Sequence, residues 1–434
     1  MRMPAKRKAA AEHPDIFACA QESTLLDSSA PTEARDLAEE LVAFCQFGET
    51  TRVESLPAAG QEPVPVLINE FWTAGQRQAH SLHELSYRAC FKPQLPCFFI
   101  DRLTLLGEVV YDPFMGRGTT LIEAALMGRV PWGCDINPLS PIIVRPRLAP
   151  PDEKEIQDAI DALPLDLDAE SCEDLLVFYH PKVLRAVSSL RQHFARPHLS
   201  AADRWLRMVA TNRLSGHSPG FFSVYSLPPN QAASIQSQQR INEKRNQTPP
   251  ERDVRAILGK KSRQLLKDLT AAERGALHHV APKARLLTAS CDATASLPDD
   301  SIALVVTSPP FLTEVQYDQD NWLRGWFNHI DSGVVRQWQI RKPALWQEKM
   351  TGVFRELRRV LRSGGHVAFE VGEVRGGSVR LEDLVVPAAM DAGLEPVLIM
   401  INAQKFTKTS NCWGISNSEV GTNTNRIVLL RKQK

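Results

Sequence analysis

The stretch Glu108-Val-Val-Tyr-Asp-Pro-Phe-Met-Gly-Arg-Gly-Thr-Thr120 sets the frame for the whole chain. A short β-branched run ends at Asp112, glycines follow at 116 and 118, and an apolar helical pattern covers Leu121 to Met127. Strand, turn and helix in this order form the unit from which parallel sheets are wound. Thr120 and Glu123 have the spacing of a capping box for the helix. The two glycines let the backbone approach a ligand, and the helix start offers N–H groups with no intrahelical partner. Alone, the turn reads either as a nucleotide cradle or as a tight turn that needs two glycines. A dinucleotide fingerprint requires a third glycine at position 121, where Leu stands, and a phosphate loop requires Gly-Lys-Ser/Thr, so NAD and ATP are disfavoured.

Further runs of the same kind lie at Val130–Asp135, Arg285–Cys291, Ile302–Thr307, His366–Val371, Pro396–Ile401 and Arg426–Leu430. Amphipathic stretches separate several of them, at Thr119–Met127, Gln347–Leu361 and Leu381–Ala392. This alternation predicts an α/β fold, a doubly wound and largely parallel sheet buried on both faces. Such sheets bind ligands beyond the carboxyl ends of their strands, so the residues that follow each run are the candidates for chemistry. Asp135, at the end of the second run, can accept both hydroxyls of a ribose; it can equally cap the turn before Asn137-Pro138.

The chain has 434 residues, 43% hydrophobic and 23% charged, the balance of a globular protein and not of a disordered one. No run approaches the ~20 apolar residues of a membrane span, and the basic start Met1–Lys8 has no apolar run behind it, so a cytoplasmic protein is expected. Eight cysteines lie scattered without Cys-x-x-Cys or zinc spacing, which argues against a structural metal and a disulfide framework. Cys97 reads as a buried core thiol. The net charge of +1 hides an asymmetry: residues 176–268 carry sixteen Lys/Arg against five Asp/Glu. A bias of this size over one segment points to a polyanion partner, with nucleic acid the obvious candidate. The segment interrupts the strand–helix alternation and is punctuated by Pro-Pro pairs at 150–151, 228–229 and 249–250, the mark of an inserted, loop-containing module. The expected organisation is a helix-containing, partly flexible region (1–70), a first half of the sheet domain (71–150), a basic insert (151–282) and a second half (283–434).

The fourth run leads into Thr307-Ser-Pro-Pro-Phe311. Consecutive prolines fix φ and remove two N–H donors, leaving a rigid lip made mostly of acceptors. The Ser308 hydroxyl and the Pro309 carbonyl could bind the hydrogens of an exocyclic amine while Phe311 stacks on the base. Taken alone, a Ser-Pro-Pro-Phe turn is also simply a turn.

Taken together, loop and tetrapeptide resemble those of the amino-group DNA methyltransferases that use S-adenosylmethionine, and Ser308, Pro309, Pro310 and Phe311 match the catalytic Ser-Pro-Pro-Tyr/Phe of the cytosine-N4 members. His80-Ser-Leu-His-Glu-Leu-Ser-Tyr-Arg-Ala-Cys-Phe-Lys-Pro-Gln-Leu95 is similar to the segment that precedes the loop in that family. The resemblance covers about 80–150 and 283–434. It implies a seven-stranded Rossmann-like methyltransferase sheet, with Asp112, Phe114, Gly116, Gly118 and Thr119 at the methionine end of S-adenosyl-L-methionine, Asp135 on the ribose, Asp292 near the adenine, and Phe91 and Lys92 contributing from upstream. It implies double-stranded DNA as substrate, with the target base flipped out of the duplex, and raises the expectation of a companion restriction endonuclease. Arg240, Lys244, Arg245, Lys260, Lys261 and Arg263 of the insert suit phosphate contacts, and Asn230, Gln231, Gln236, Gln238, Gln239, Asn242 and Arg240 itself carry side chains that can read base edges. Arg117 departs from the family, which usually has Ser there, and the placing of the insert between the cofactor and catalytic motifs departs from the group whose wording matches best.

Three rivals remain open. Adenine-N6 enzymes share the acceptor geometry but generally carry Asp or Asn where this chain has Ser308. RNA attracts the same basic insert, and a non-catalytic DNA-binding protein could keep the fold. Carbon-5 cytosine chemistry is disfavoured because the only Pro-Cys pair, Pro96-Cys97, precedes the first strand. Trp322 and Trp326, on one helix face, read as core packing and not as a base-stacking platform.

Overall fold

A computed structural model describes residues 34–58, 62–72, 79–167, 169, 172–312, 316–331, 333, 335, 338–374, 379–403 and 424–433. The basic start Met1–Lys8, Cys19 and Cys412 lie outside the described residues. The helices are α1 (Ala34–Val42), α2 (Gln94–Leu103), α3 (Thr119–Leu126), α4 (Leu139–Leu148), α5 (Glu153–Asp161), α6 (Pro181–Phe194), α7 (Ala201–Arg213), α8 (Ile235–Arg245), α9 (Val254–Leu266), α10 (Ala271–Val280), α11 (Tyr317–Asp320), α12 (Trp322–Asn328), α13 (Pro343–Val360) and α14 (Glu382–Asp391). The strands are β1 (Arg52–Leu56), β2 (Val64–Asn69), β3 (Val109–Asp112), β4 (Val130–Asp135), β5 (Arg285–Thr288), β6 (Ile302–Thr307), β7 (Leu361–Val371), the short pair β8 (Glu373–Val374) and β9 (Val379–Arg380), β10 (Glu395–Ala403) and β11 (Thr424–Arg431).

The main sheet runs in the order β1-β2-β10-β11-β7-β6-β3-β4-β5. Pairing is parallel from β5 through β4, β3 and β6 to β7, antiparallel on either side of β11, and parallel again between β10 and β2. The sheet is therefore the expected mostly parallel α/β sheet, but it has nine strands and not seven. The two extra strands come from the N-terminal region, which supplies the antiparallel hairpin β1–β2 as well as helix α1. The run Val64-Pro-Val-Leu-Ile-Asn69 shows no alternation because β2, laid against β10, is largely buried.

Successive strand residues point to opposite faces, and each face has its own cover. Val110, Leu304, Val306, Ala368 and Ile427 pack against α1, α2 and Ala124 of α3. Tyr111, Val305, Val367, Phe369 and Val428 pack against Trp346, Met350 and Phe354 of α13 and Val385 of α14. The described residues of 151–282 hold six helices, α5 to α10. Their core is continuous with Leu121 and Ile122 of α3, Ile143 and Val144 of α4, and Leu323 and Phe327 of α12. Cys97 is half-buried instead of fully buried. No helix among the described residues is long and apolar enough to cross a membrane.

Candidate functional site

The strand order places a topological switch between β3 and β6, because the chain moves outward through β4 and β5 and then returns to the other side of β3. A crevice must open there beyond the carboxyl ends. Asp112 ends β3 and Thr307 ends β6, and the Thr307 hydroxyl donates to Asp112 Oδ1 at 2.6 Å. The Thr120 hydroxyl donates to the Val306 carbonyl at 3.0 Å, so the first turn of α3 is bolted to the same strand. This replaces the expected capping box: Gly118, with φ +77°, occupies the cap position without a side-chain bond, and Glu123 pairs with His83 at 2.9 Å. A Cβ on Gly118 would meet Val144 Cγ2 at 2.5 Å, which is why this turn needs glycine.

The crevice is a pocket lined by residues of both motifs. Asp112, Phe114, Gly116, Thr119 and Asp135 line it together with Ser308 and Pro310. Tyr87, Ala89, Cys90 and Phe91 close it from upstream, and Tyr317, Val335 and Trp338 from the segment after the tetrapeptide. Loop and tetrapeptide thus line a single pocket. Phe114 and Trp338 meet edge to face with centroids 5.4 Å apart. The backbone N–H groups of Gly116 and Asn137 each donate to Asp135 at 2.8 Å, which fixes the carboxylate and leaves lone pairs on both oxygens.

Burial dominates the electrostatics. It pushes the Asp112 carboxyl up to about 7 against the opposing hydrogen bonds from Thr307 and the Phe114 N–H. Asp135 is raised for the same reason. Ser308 hydrogen-bonds to Glu370 of β7, a buried carboxyl that is raised by desolvation and also bound by the Asn425 amide. The lip itself is held from behind: Trp346 Nε1 donates to the Pro310 carbonyl at 2.9 Å.

Several expected residues sit elsewhere. Pro309 is buried behind the lip, and Phe311 packs half-buried into the layer beside Leu312, Ile340 and Trp346 instead of facing the cavity. The aromatic walls come from Tyr87, Phe114, Tyr317 and Trp338. Gly118 shapes the turn from outside the lining. Asp292 accepts from the Ser290 hydroxyl at 2.6 Å and faces Lys349 at 3.6 Å; its neighbours Ala289 and Cys291 line the cavity in its place. Lys92 is exposed, outside the lining formed by Phe91. In the insert, Arg240, Lys244, Arg245, Lys260 and Arg263 are exposed. Lys261 is 5% exposed and 3.6 Å from Glu84, because its position on α9 faces inward. Gln238 is buried, donating to Tyr225 O and Asn242 Oδ1, and Asn242 donates to Val177 O, so both serve the fold. Trp322 and Trp326 pack against the insert core as expected. Glu370 and Tyr317 carry no motif of their own in the sequence, and Trp338 stands out there only as one of several tryptophans that follow the tetrapeptide.

Residues 30–140 match the model of a family described as DNA methylase. The type II methyltransferase M.MjaII of Methanocaldococcus jannaschii is 38% identical over 72 residues, covering 17% of this chain and 13% of that protein. The type II methyltransferase M.MvaI of Kocuria varians is 34% identical over 97 residues, covering 22% and 20%. The chain thus spans a fifth or less of the length of these relatives. Among solved structures, the DNA modification methylase TTHA0409 of Thermus thermophilus in complex with S-adenosyl-L-methionine is 23% identical over 32% of this chain and 51% of that chain, with a TM-score of 0.21. TrmN of Thermus thermophilus aligns over 81% and 51% at 11% identity, with a TM-score of 0.30.

Proposed function

We propose that this chain is an S-adenosylmethionine-dependent DNA methyltransferase that acts on an exocyclic amine, and specifically on N4 of a cytosine turned out of the duplex. The observation that carries the reading is the meeting of Asp112, Gly116 and Asp135 with Ser308 and Pro310 in one cavity at the switch between β3 and β6. The donor set suits the cofactor. Asp112, 1% exposed, has hydrogen-bond donors around it and no ion-pair partner among the described residues, and a ligand cation would relieve the cost of its burial. Gly116 turns at φ +47° beneath Tyr87, and Asp135 keeps acceptor capacity for ribose hydroxyls.

When bound, the cofactor supplies an electrophilic methyl group on a cationic leaving group, so the enzyme needs position and acceptors more than a strong base. Ser308 provides both. By donating its own hydrogen to Glu370, the hydroxyl turns its lone pairs toward the cavity, where they accept from the amine and draw its lone pair out of conjugation. The proton released on methylation passes to Ser308 and on to Glu370, whose burial favours holding it. Phe114, Tyr317 and Trp338 offer apolar faces to the extruded base. The exposed Arg240, Lys244 and Arg245 on α8 and Lys260 and Arg263 on α9 hold the duplex by its phosphates. The choice of cytosine over adenine rests on Ser308 standing where adenine enzymes generally carry a carboxylate or amide.

Incubation with labelled S-adenosylmethionine and duplex DNA, followed by nucleoside mass spectrometry, tests the reading. N4-methylcytosine is expected with the wild type and near-complete loss with Ser308→Ala. Label confined to RNA or to N6-methyladenine overturns it.

A further inference from the structure

Arg117, set in the middle of the cofactor loop, points away from the cavity that its neighbour Gly116 lines. It enters a second, more open pocket on the insert side of the loop, and Tyr87 lines both. Arg213 of α7 and Lys261 of α9 line the same space, together with Glu84 and Asn230. Three cationic side chains therefore face one carboxylate.

The cations are not cancelled locally. Arg117 donates to the carbonyls of His83 and Leu85 at 3.3 and 2.9 Å and to Thr119 Oγ1 at 3.1 Å, all neutral oxygens. Arg213 donates to the carbonyl and the side-chain oxygen of Asn212 at 3.0 and 2.7 Å, and its guanidinium lies 4.0 Å over the Phe221 ring. Glu84 stands 3.6 Å from Lys261 but is shared with Lys267 at 3.3 Å. Burial, and after it the nearby Arg213, bring Lys261 down to about 8 against the opposing pull of Glu84. Asn230 lines the same pocket and has a buried amide oxygen without a partner. Pro228 and Pro229 stiffen the rim.

We propose that this second cavity is a phosphate subsite, with Arg117, Arg213 and Lys261 as its charged donors. Forked guanidiniums fixed by neutral oxygens are pre-set for a tetrahedral oxyanion, which would supply the missing countercharge. Deepening the reading as a DNA methyltransferase, and resting on it for its source, the phosphate is either a phosphodiester beside the extruded base, which the shared Tyr87 wall makes close, or a free phosphate-bearing molecule.

The full chain is titrated with sodium phosphate by calorimetry and with a fluorescent DNA duplex by anisotropy at several salt concentrations, as wild type, Arg213→Gln and Arg213→Lys, with circular dichroism reporting folding. We expect R213Q to weaken phosphate binding about tenfold, with R213K recovering part of it. If the source is the DNA backbone, R213Q also lowers the salt slope of duplex binding by about one, and a neutral methylphosphonate at one linkage beside the target base weakens the wild type without further effect on R213Q. If the source is a free phosphate, inorganic phosphate binding weakens by the same factor in R213Q while every linkage of the duplex is indifferent. Should R213Q fail to fold, Arg117→Gln is read in its place. No phosphate binding by the wild type, together with unchanged duplex affinity and salt slope in a folded R213Q, overturns the proposal. Phosphate binding by a wild type that methylates no nucleic acid would end the functional reading and leave the subsite standing.

Discussion

Thr307 and Asp112 lie 195 residues apart and are joined by a 2.6 Å hydrogen bond across the switch between β6 and β3. The bond fixes the distance between the glycine loop and the Ser-Pro-Pro lip, since Asp112 begins one and Thr307 the other. Thr307→Val keeps the shape and removes the donor, leaving a buried carboxylate oxygen short of a partner. A loss of about 1 to 3 kcal/mol of stability is expected from urea denaturation, with weaker cofactor binding by tryptophan fluorescence. Unchanged binding and stability would mean that the bond is incidental.

Asp112 also sets a pH dependence. Its carboxyl titrates near 7 in the folded chain and near 3.8 when unfolded, so between these values the folded protein holds a proton that the unfolded chain has released. Stability without ligand is therefore fully present below about pH 4 and declines as pH rises toward 7, by at most roughly 1.4 kcal/mol per pH unit for this group. Asp135 and Glu370, raised by burial as well, add in the same sense. Asp112→Asn should flatten the profile, measured as urea midpoints at pH 5 and 7.5, and an identical slope in both proteins would refute the assignment.

Glu370 is predicted to act through Ser308. Glu370→Gln should slow methyl transfer by about tenfold or more while cofactor affinity stays near the wild-type value, and the dependence of the rate on pH should weaken. Equal losses in rate and in cofactor binding would instead mark Glu370 as a packing residue.

Gly118→Ala combines a left-handed backbone with a collision at Val144 Cγ2. A cost above about 1–2 kcal/mol is expected from the backbone alone. Adding Val144→Ala relieves the collision, so the double variant should be more stable than the sum of the single losses allows. Strict additivity in thermal melts would show that the two side chains do not compete for this space.

Gln238→Ala should lower stability by about 0.5 to 1.5 kcal/mol, because it removes one of two buried donors to Tyr225 O, the other being the Gln247 amide. The exposed Gln236 and Gln239 should be neutral in the same melts. A shift in DNA site preference with no change in stability would return Gln238 to the recognition surface.

The strands β3, β4, β6, β7, β10 and β11 were legible because each is a short apolar run, buried on both faces and bounded by turn residues. Strand β1 escaped notice: Arg52-Val-Glu-Ser-Leu56 is an exposed edge strand, and only its pairing with β2 makes it one. Asp112, Gly116, Asp135 and Ser308 could be found because strand ends and glycine turns leave local marks. Trp338 and Tyr317 could not, since what brings them to the cavity is long-range packing. The inward face of α8 was hidden for a related reason: Gln238 and Gln236 look alike until helix phase and neighbours decide which is buried.

The unbroken core that runs from Leu121 and Ile143 into Leu258 and Leu265 bears on how this molecule can be re-engineered. Its basic helices are not a cassette. Transplanting 151–282 from a relative with another preference would tear the packing that seats the glycine turn, so such chimaeras should lose solubility before they acquire a new target. Changes confined to outward-facing positions of α8 and α9 avoid that penalty and offer the safer route to altered selectivity.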